Sequence, residues 1–488
     1  MAEASVQPSP PGLKRPWLSA LIGGLFVASS LEPLGIWPLG IVGISLLIVA
    51  MLDARSWHRF VVASCFSLAW IVPGLWWSWH FTAVGAVLLM LVEAAIIALV
   101  LAASPHGNSG LWSIPAALVV ATGIRDHLPL GGLPIADLAQ GQVSGPLLQS
   151  ARLGTPLLVC ALTAIAGAAL VAIVQGPRPA GLFAALGLII LVSFSSVAPD
   201  GGAPTRSIKV AAVQGGGARG LSALAVDPNT VLAAHLKALA KVHDLAGGLV
   251  LLPEDVDATD AGIGGTPAEW QIRQEAKRLH ATVLIGVTKE EAGHHFTNAV
   301  VGFGPDGQWL GTIVKRHRVP FGEYVPFRKL LSKFVNLDQV PNDATIGKGN
   351  GVLPSPAGPI GVSISYEVFY DRLARVEAQH GAQLLSLPTN ASSYPSPQIP
   401  SLEIAAAQLD AVTAGRDLVQ AAPTGYSALI TNRGSVLQRS QLGEQAVLTG
   451  RLTLRQGETI ASVLGAWPFF LLALGLLLLA WLRAKRYS

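Results

Sequence analysis

Three polar residues close three separate apolar runs. Glu254 ends LLPE, Lys315 ends GTIVK, and Ser365 lies in ISYE. A carboxylate, an ammonium and a hydroxyl that meet can carry out covalent acyl transfer. The carboxylate takes the proton, the hydroxyl attacks, and the ammonium stabilises the oxyanion. Spacing alone leaves a plainer reading open. A Glu and a Lys at strand ends form structural ion pairs, and a Ser in a strand is often simply buried and hydrogen-bonded. Either reading requires the runs to be strands of one domain.

The pattern from Arg206 onward supports that. SIKVAAVQ (207–214), GLVLLPE (248–254), ATVLIGVT (281–288), GPIGVSISYE (358–367) and AQLLSLPTN (382–390) read as strands. Helical spacing separates them at 229–245, 267–280, 369–380 and 401–416. Residues 298–315 read as a hairpin around Asp306-Gly307, and a closing hairpin crosses Asn432-Arg433-Gly434. Strands alternating with helices predict an α/β layered domain with a mixed sheet.

The preceding sequence is of another kind. The chain has 488 residues, of which 51% are hydrophobic and 13% charged, about half the usual charged share. Residues 1–205 hold only seven acidic and seven basic side chains. Apolar runs long enough for membrane helices fall at about 16–32, 36–52, 60–77, 82–103, 110–124, 153–175 and 180–198. An eighth lies at about 461–482. The expected division is a seven-span bundle (1–198), a globular domain (199–460), and a last helix with a basic tail (461–488). With the N-terminus inside, Lys14, Arg15, Arg55, Arg59, Arg178, Arg483, Lys485 and Arg486 collect on the cytoplasmic side, against Arg125 and Arg152 outside. This asymmetry places the globular domain on the extracytoplasmic side of the cytoplasmic membrane. Glu93, inside the fourth span, is either functional or paired within the bundle. Cys65 and Cys160 lie in spans and read as packing residues.

Several functions are excluded. A purely soluble, disordered or disulfide-stapled chain does not fit this composition. No Lys/Arg-rich block supports nucleic-acid binding, despite a net charge of +4. Gly215–Gly220 satisfies G-x-G-x-x-G after a strand, but Leu221–Pro228 delays the helix and Glu254 comes too late to serve a dinucleotide.

LLPE at 251–254, KRHRVPFGEYVP at 315–326 and ISYE at 364–367 together resemble the signature segments of bacterial apolipoprotein N-acyltransferases, membrane-embedded members of the nitrilase superfamily. LEPLGIWPLG (31–40), GGLPIADLAQGQVSGPL (131–147) and the position of the large domain between spans seven and eight extend the resemblance over nearly the whole chain. It implies an α-helical bundle of about eight spans plus a nitrilase-like αββα sandwich. It further implies Glu254 as general base, Lys315 as oxyanion stabiliser, and Glu323, Glu367 and Asn390 as supporting residues. The reaction implied is ping-pong transfer of an acyl chain from a phospholipid to the N-terminal amine of a diacylated apolipoprotein, by a monomer, without metal or organic cofactor.

The sequence departs from the family at its centre. Ser365 stands at the nucleophile position, where the family has Cys, and Thr413 stands where the family has a Glu before Arg416. The loop that follows Asn390 is altered as well. A hydroxyl is a much weaker acid than a thiol and calls for a better base, and no His partner is evident. The expectation is slow or absent turnover, raised by Ser365→Cys. Alternatives are a silent relative that binds lipoprotein or phospholipid, a Cys-to-Ser trapping variant, and a membrane-tethered amidase.

Overall fold

In a computed structural model, residues 15–486 are described, apart from 53, 55, 82, 106–109, 259–261, 334–336 and 338–339. Lys14 and Arg55, counted above among the inner charges, lie outside the described residues. Seven apolar helices come first: α1 (Pro16–Ser30), α2 (Trp37–Leu52), α3 (Ser56–Gly74), α4 (Ala83–Ala102), α5 (Gly110–Arg125), α6 (Ala151–Gln175) and α7 (Arg178–Val197). Each lies within a few residues of an expected span. Among the described residues, α4, α6, α7 and the C-terminal helix are long and apolar enough to cross a membrane, whereas α1, α2 and α5 are apolar but shorter.

Burial revises the charge reading. Arg125 is not an outer-loop charge. It ends α5 fully buried, with Nε 2.6 Å from Glu93 Oε2 and Nη2 donating to the Ile135 carbonyl. Glu93 therefore has its partner, and the paired reading holds. Arg152 is buried in α6, and Arg59 is buried with its guanidinium on the Met51 and Ser104 carbonyls. These arginines serve packing, so the orientation argument rests on the flanking Arg15, Arg178, Arg483 and Lys485.

The globular part holds two sheets, as the αββα sandwich implied by the family resemblance requires; strand–helix alternation by itself suggested only a mixed sheet. The first comprises β1 (Pro204–Gln214), β2 (Leu249–Leu251), β3 (Asp257–Ala258), β4 (Thr282–Glu291), β5 (His295–Phe303), β6 (Trp309–Val314) and β7 (Asp343–Ala344). The second runs through β8 (Val352–Leu353), β9 (Ile360–Val362), β10 (Leu384–Pro388), β11 (Leu418–Ala421), β12 (Ala428–Ile430) and β13 (Val436–Arg439). The long β14 (Ala446–Arg455) returns to the first sheet, antiparallel to β1. Val210, Leu249, Leu284 and Val300 of one sheet pack on Ile360, Val362, Leu384 and Val419 of the other. The helices α8 (Pro228–Leu239) and α9 (Pro267–Leu279) cover the outer face of the first sheet. A one-turn α10 (Arg328–Leu331) follows in the loop beyond β6.

Helices α11 (Asp371–Gln379) and α12 (Gln398–Ala414) cover the second sheet, with the bundle on their far side. The layers are thus helix, sheet, sheet, helix. Nearly every residue of α12 is buried, including both ends of its IPSLEIAAAQLDAVTA run, as expected of a helix enclosed on all sides. Gln398, its first residue, donates to the Pro73 and Gly74 carbonyls at the end of α3. The short α13 (Ile460–Leu464) and the apolar α14 (Trp467–Arg486) close the chain.

The parallel strands β2, β9 and β10 all lead into polar loops at their C-terminal ends. Such ends are where layered α/β domains place their chemistry.

Candidate active site

Lys315 follows β6 directly and is 2% exposed. Its Nζ lies 2.9 Å from Glu254 Oε1 and 2.7 Å from Glu323 Oε1. Burial would push this ammonium down, but the Glu254 and Glu323 charges beside it outweigh burial and hold it above the usual lysine range. It is a fixed cation. Asn298 on β5 ties the same two carboxylates together, donating 2.8 Å to Glu254 and 3.1 Å to Glu323. Glu323 Oε2 accepts from the Val319 amide and closes the 315–323 loop around the lysine.

Glu254 owes its position to a glycine. A Cβ on Gly286 of β4 would come within 2.3 Å of the Pro253 carbonyl oxygen and 2.5 Å of Glu254 Cα. Only a bare backbone allows the LPE segment to lie this close.

Ser365 is not in a strand. β9 ends at Val362, and Ser365 opens a short 3₁₀ turn with φ +53°. A non-glycine residue in the left-handed region is strained, and such strain concentrates at functional sites. A sharp turn after a strand is also how α/β hydrolases expose a nucleophilic serine.

Glu367 holds this turn against the lysine segment. Its Oε2 accepts from the Ile364 amide, and its Oε1 accepts from the Arg316 amide (2.6 Å) and the His317 amide (2.8 Å). Burial raises its carboxyl, and the Arg316 guanidinium opposes that. Arg316 in turn pairs with Glu377 on α11, whose Oε1 also accepts the Ser363 hydroxyl.

Asn390 follows β10 and donates 3.1 Å to Asp255, the neighbour of Glu254. Asp255 has φ +56° and is buried; burial, then the adjacent Glu254 charge, push its carboxyl up to about 7. The six sequence-selected residues therefore fall at one end of the two sheets. Glu254, Lys315 and Glu323 form one hydrogen-bonded cluster, and Glu367 and Asn390 link it to the Ser365 and β10 segments.

The sequence reading did not single out Asn298, Asp255, Arg316 or Glu377, nor Thr389, whose hydroxyl lies 3.4 Å from Ser365 Oγ and 2.6 Å from Glu403 Oε1. Glu403 left only a weak signal, as one of two carboxylates, with Asp410, in a largely apolar helix. Thr413, by contrast, lies ten residues further along α12, roughly 15 Å at 1.5 Å per residue, and its carbonyl accepts the Thr459 hydroxyl. That departure lies away from the cluster. Cys65 and Cys160 are in α3 and α6, within the bundle.

Three backbone donors of the Gly215–Gly220 loop are engaged within the fold. The Gly216, Gly217 and Gly220 amides donate to the carbonyls of Pro423, Gly443 and Ser392, so they are not turned to a phosphate.

Residues 209–461 match the carbon-nitrogen hydrolase family model. The chain belongs to this family. Residues 23–169 match the apolipoprotein N-acyltransferase N-terminal domain. Relatives named apolipoprotein N-acyltransferase include one from Azotobacter vinelandii, 29% identical over 96% of this chain and 95% of its own. One from Mycolicibacterium smegmatis is 27% identical over 92% and 82%, and one from Geobacter metallireducens 28% over 93% of each. Among solved structures, an amidase from Nesterenkonia sp. AN1 of the nitrilase superfamily aligns with 52% of this chain at 19% identity and a TM-score of 0.37.

Proposed function

We propose that this protein moves an acyl chain from a phospholipid to the N-terminal amine of the diacylglyceryl cysteine of apolipoproteins, through an ester on Ser365. The observation that carries this reading is the buried Glu254–Lys315–Glu323 cluster beside a serine held in a strained turn, in a chain whose relatives at both ends bear the N-acyltransferase name.

Ser365 Oγ attacks the donor ester carbonyl, and Lys315 stabilises the oxyanion that forms. The bond to the glycerol oxygen breaks, and lysophospholipid leaves with a proton. The amine then attacks the acyl-serine and Glu254 takes its proton; the C–O bond to Ser365 breaks as that proton is passed to the departing serine oxygen, so an amide forms and the Ser365 hydroxyl and the Glu254 carboxylate are both restored. Glu323, Glu367 and Asn390 hold the lysine, the nucleophile turn and the Asp255 segment in register.

Aromatic packing next to the site supports a lipid donor: Tyr394 is close enough to feel the charges of Glu403, Lys315 and Glu254. Tyr394 packs edge-on against Trp77 (5.5 Å) and Phe81 (5.2 Å), aromatics that follow α3. On this reading residues 1–198 and 461–488 anchor the protein by about eight spans in the cytoplasmic membrane. Residues 199–460 then work as a monomer on the extracytoplasmic side. The test is conversion of a diacylated lipopeptide to its triacylated form with phospholipid as donor. Conversion that is lost on Ser365→Ala supports the reading, and none by the unaltered chain or by Ser365→Cys overturns it.

A further inference from the structure

Ser365 has one side-chain hydrogen-bond partner among the described residues, and it is neither Glu254 nor a histidine. Thr389 Oγ1 lies 3.4 Å from Ser365 Oγ and 2.6 Å from Glu403 Oε1. We propose that Thr389 and Glu403 form a proton relay that activates Ser365, with Glu403 as a positioning residue acting through the threonine. This rests on the acyl-transfer reading above and adds the means by which a hydroxyl replaces a thiol.

The backbone fixes the relay. Thr389 is the first residue beyond β10, and its amide donates to the Ala421 carbonyl of β11. Glu403 sits in the second turn of α12, 3% exposed, between the second sheet and the bundle. A carboxylate in such a place is costly, and no ion pair among the described residues offsets that cost for Glu403. Its Oε2 has no hydrogen-bond partner among the described residues. Packing therefore gives no reason for a glutamate here, whereas a proton acceptor behind the nucleophile does.

The hydroxyl inventory sets the direction. Thr389 has one proton and two lone pairs. When Glu403 is ionised, Thr389 donates to it, and a lone pair then faces the Ser365 proton. As Ser365 Oγ bonds the acyl carbon, its O–H bond breaks, its proton passes to Thr389 Oγ1, and the threonine proton passes to Glu403. Collapse of the tetrahedral intermediate sends the electron pair of the broken C–O bond to the lysophospholipid oxygen, which takes the proton back along the same path. Glu254, held by Lys315 and Asn298, is left to deprotonate the incoming amine.

The experiment uses the full chain in detergent and two readouts: labelling of Ser365 by a fluorophosphonate, which needs neither donor nor acceptor, and lipopeptide conversion. Glu403→Gln and Thr389→Val are each expected to slow labelling about 100-fold, at the lower end of general acid–base effects, while Thr389→Ser keeps it. In a Ser365→Cys background, Glu403→Gln is expected to change conversion less than about threefold, because a thiol does not need the relay. An equal loss in both backgrounds marks a structural role and overturns the relay. Undiminished labelling and conversion by Glu403→Gln overturn the relay and leave the acyl-transfer reading standing. Labelling that depends on Glu403, with no conversion by any variant, supports the relay and overturns that reading.

Discussion

Glu403 and Lys315 are both buried, but burial acts on them in opposite company. Burial pushes the Glu403 carboxyl up to about 8; the Thr389 hydrogen bond opposes this, the Glu254 charge adds to it, and Lys315 and Arg219 work against it. Tyr394 also faces it. A carboxyl raised on folding favours the neutral form. Its contribution to stability is fully present below the ordinary glutamate range and is lost as pH rises toward about 8, where the carboxylate forms. Labelling of Ser365 should accordingly rise with pH through a midpoint near 8, and Glu403→Gln should remove that midpoint; a rate–pH profile checks both. Lys315 lies between two carboxylates at 2.9 and 2.7 Å. Lys315→Met leaves them buried and unpaired, at a cost of about 3–5 kcal/mol, with loss of conversion. Denaturant titration in detergent measures the first and the lipopeptide assay the second. Glu254, Lys315 and Ser365 stood out because each lies at the end of an apolar run, but the run ends left a structural reading open, and it was the resemblance of the LLPE, KRHRVPFGEYVP and ISYE segments that assigned their roles. Thr389 and Glu403 were not legible, since their meaning lies in a contact between a strand end and a helix fourteen residues apart.

At the scale of elements, helix positions were the most legible, because apolar runs and 3.6-residue periodicity survive in single sequences. The two sheets were expected from the family resemblance, but the strand pattern alone did not show which strand joins which sheet. Short buried strands such as β2 and β9 have no alternation to say which sheet they join, and β14, partly exposed along its length, carries no continuous apolar run. Ser365 was assigned to a strand because ISYE continues an apolar segment, whereas its φ of +53° has no signature in residue type. The β4–LPE contact is the element-level feature with the sharpest consequence. Gly286→Ala should displace Glu254 while the rest of the sheet stays paired. Since misplacement of a reacting group by about 1 Å costs about 100-fold, conversion should fall at least tenfold in kcat with a smaller change in KM. Steady-state kinetics reads this, and an unchanged kcat would mean that the segment yields without moving its carboxylate.

At the scale of the whole molecule, one apolar core runs from the bundle helices through α12 to β10, so the layer that carries the candidate site and the helical bundle share packing. The buried Glu93–Arg125 pair shows why a count of arginines was an incomplete guide to orientation. Ser222 is exposed on the globular part, and in Ser222→Cys cells it should react with an impermeant maleimide before lysis; reaction only after lysis would invert the proposed topology. The central claim is that Ser365 carries the acyl group between the two substrates. Mass spectrometry of the peptide that contains Ser365 tests it most directly, after incubation with phospholipid of a single acyl composition. The account predicts an added acyl mass on Ser365 that disappears when diacylated lipopeptide is supplied, as the triacylated product forms. An unmodified Ser365 in a chain that still makes product, or an acyl-serine that persists in the presence of the lipopeptide, would contradict it.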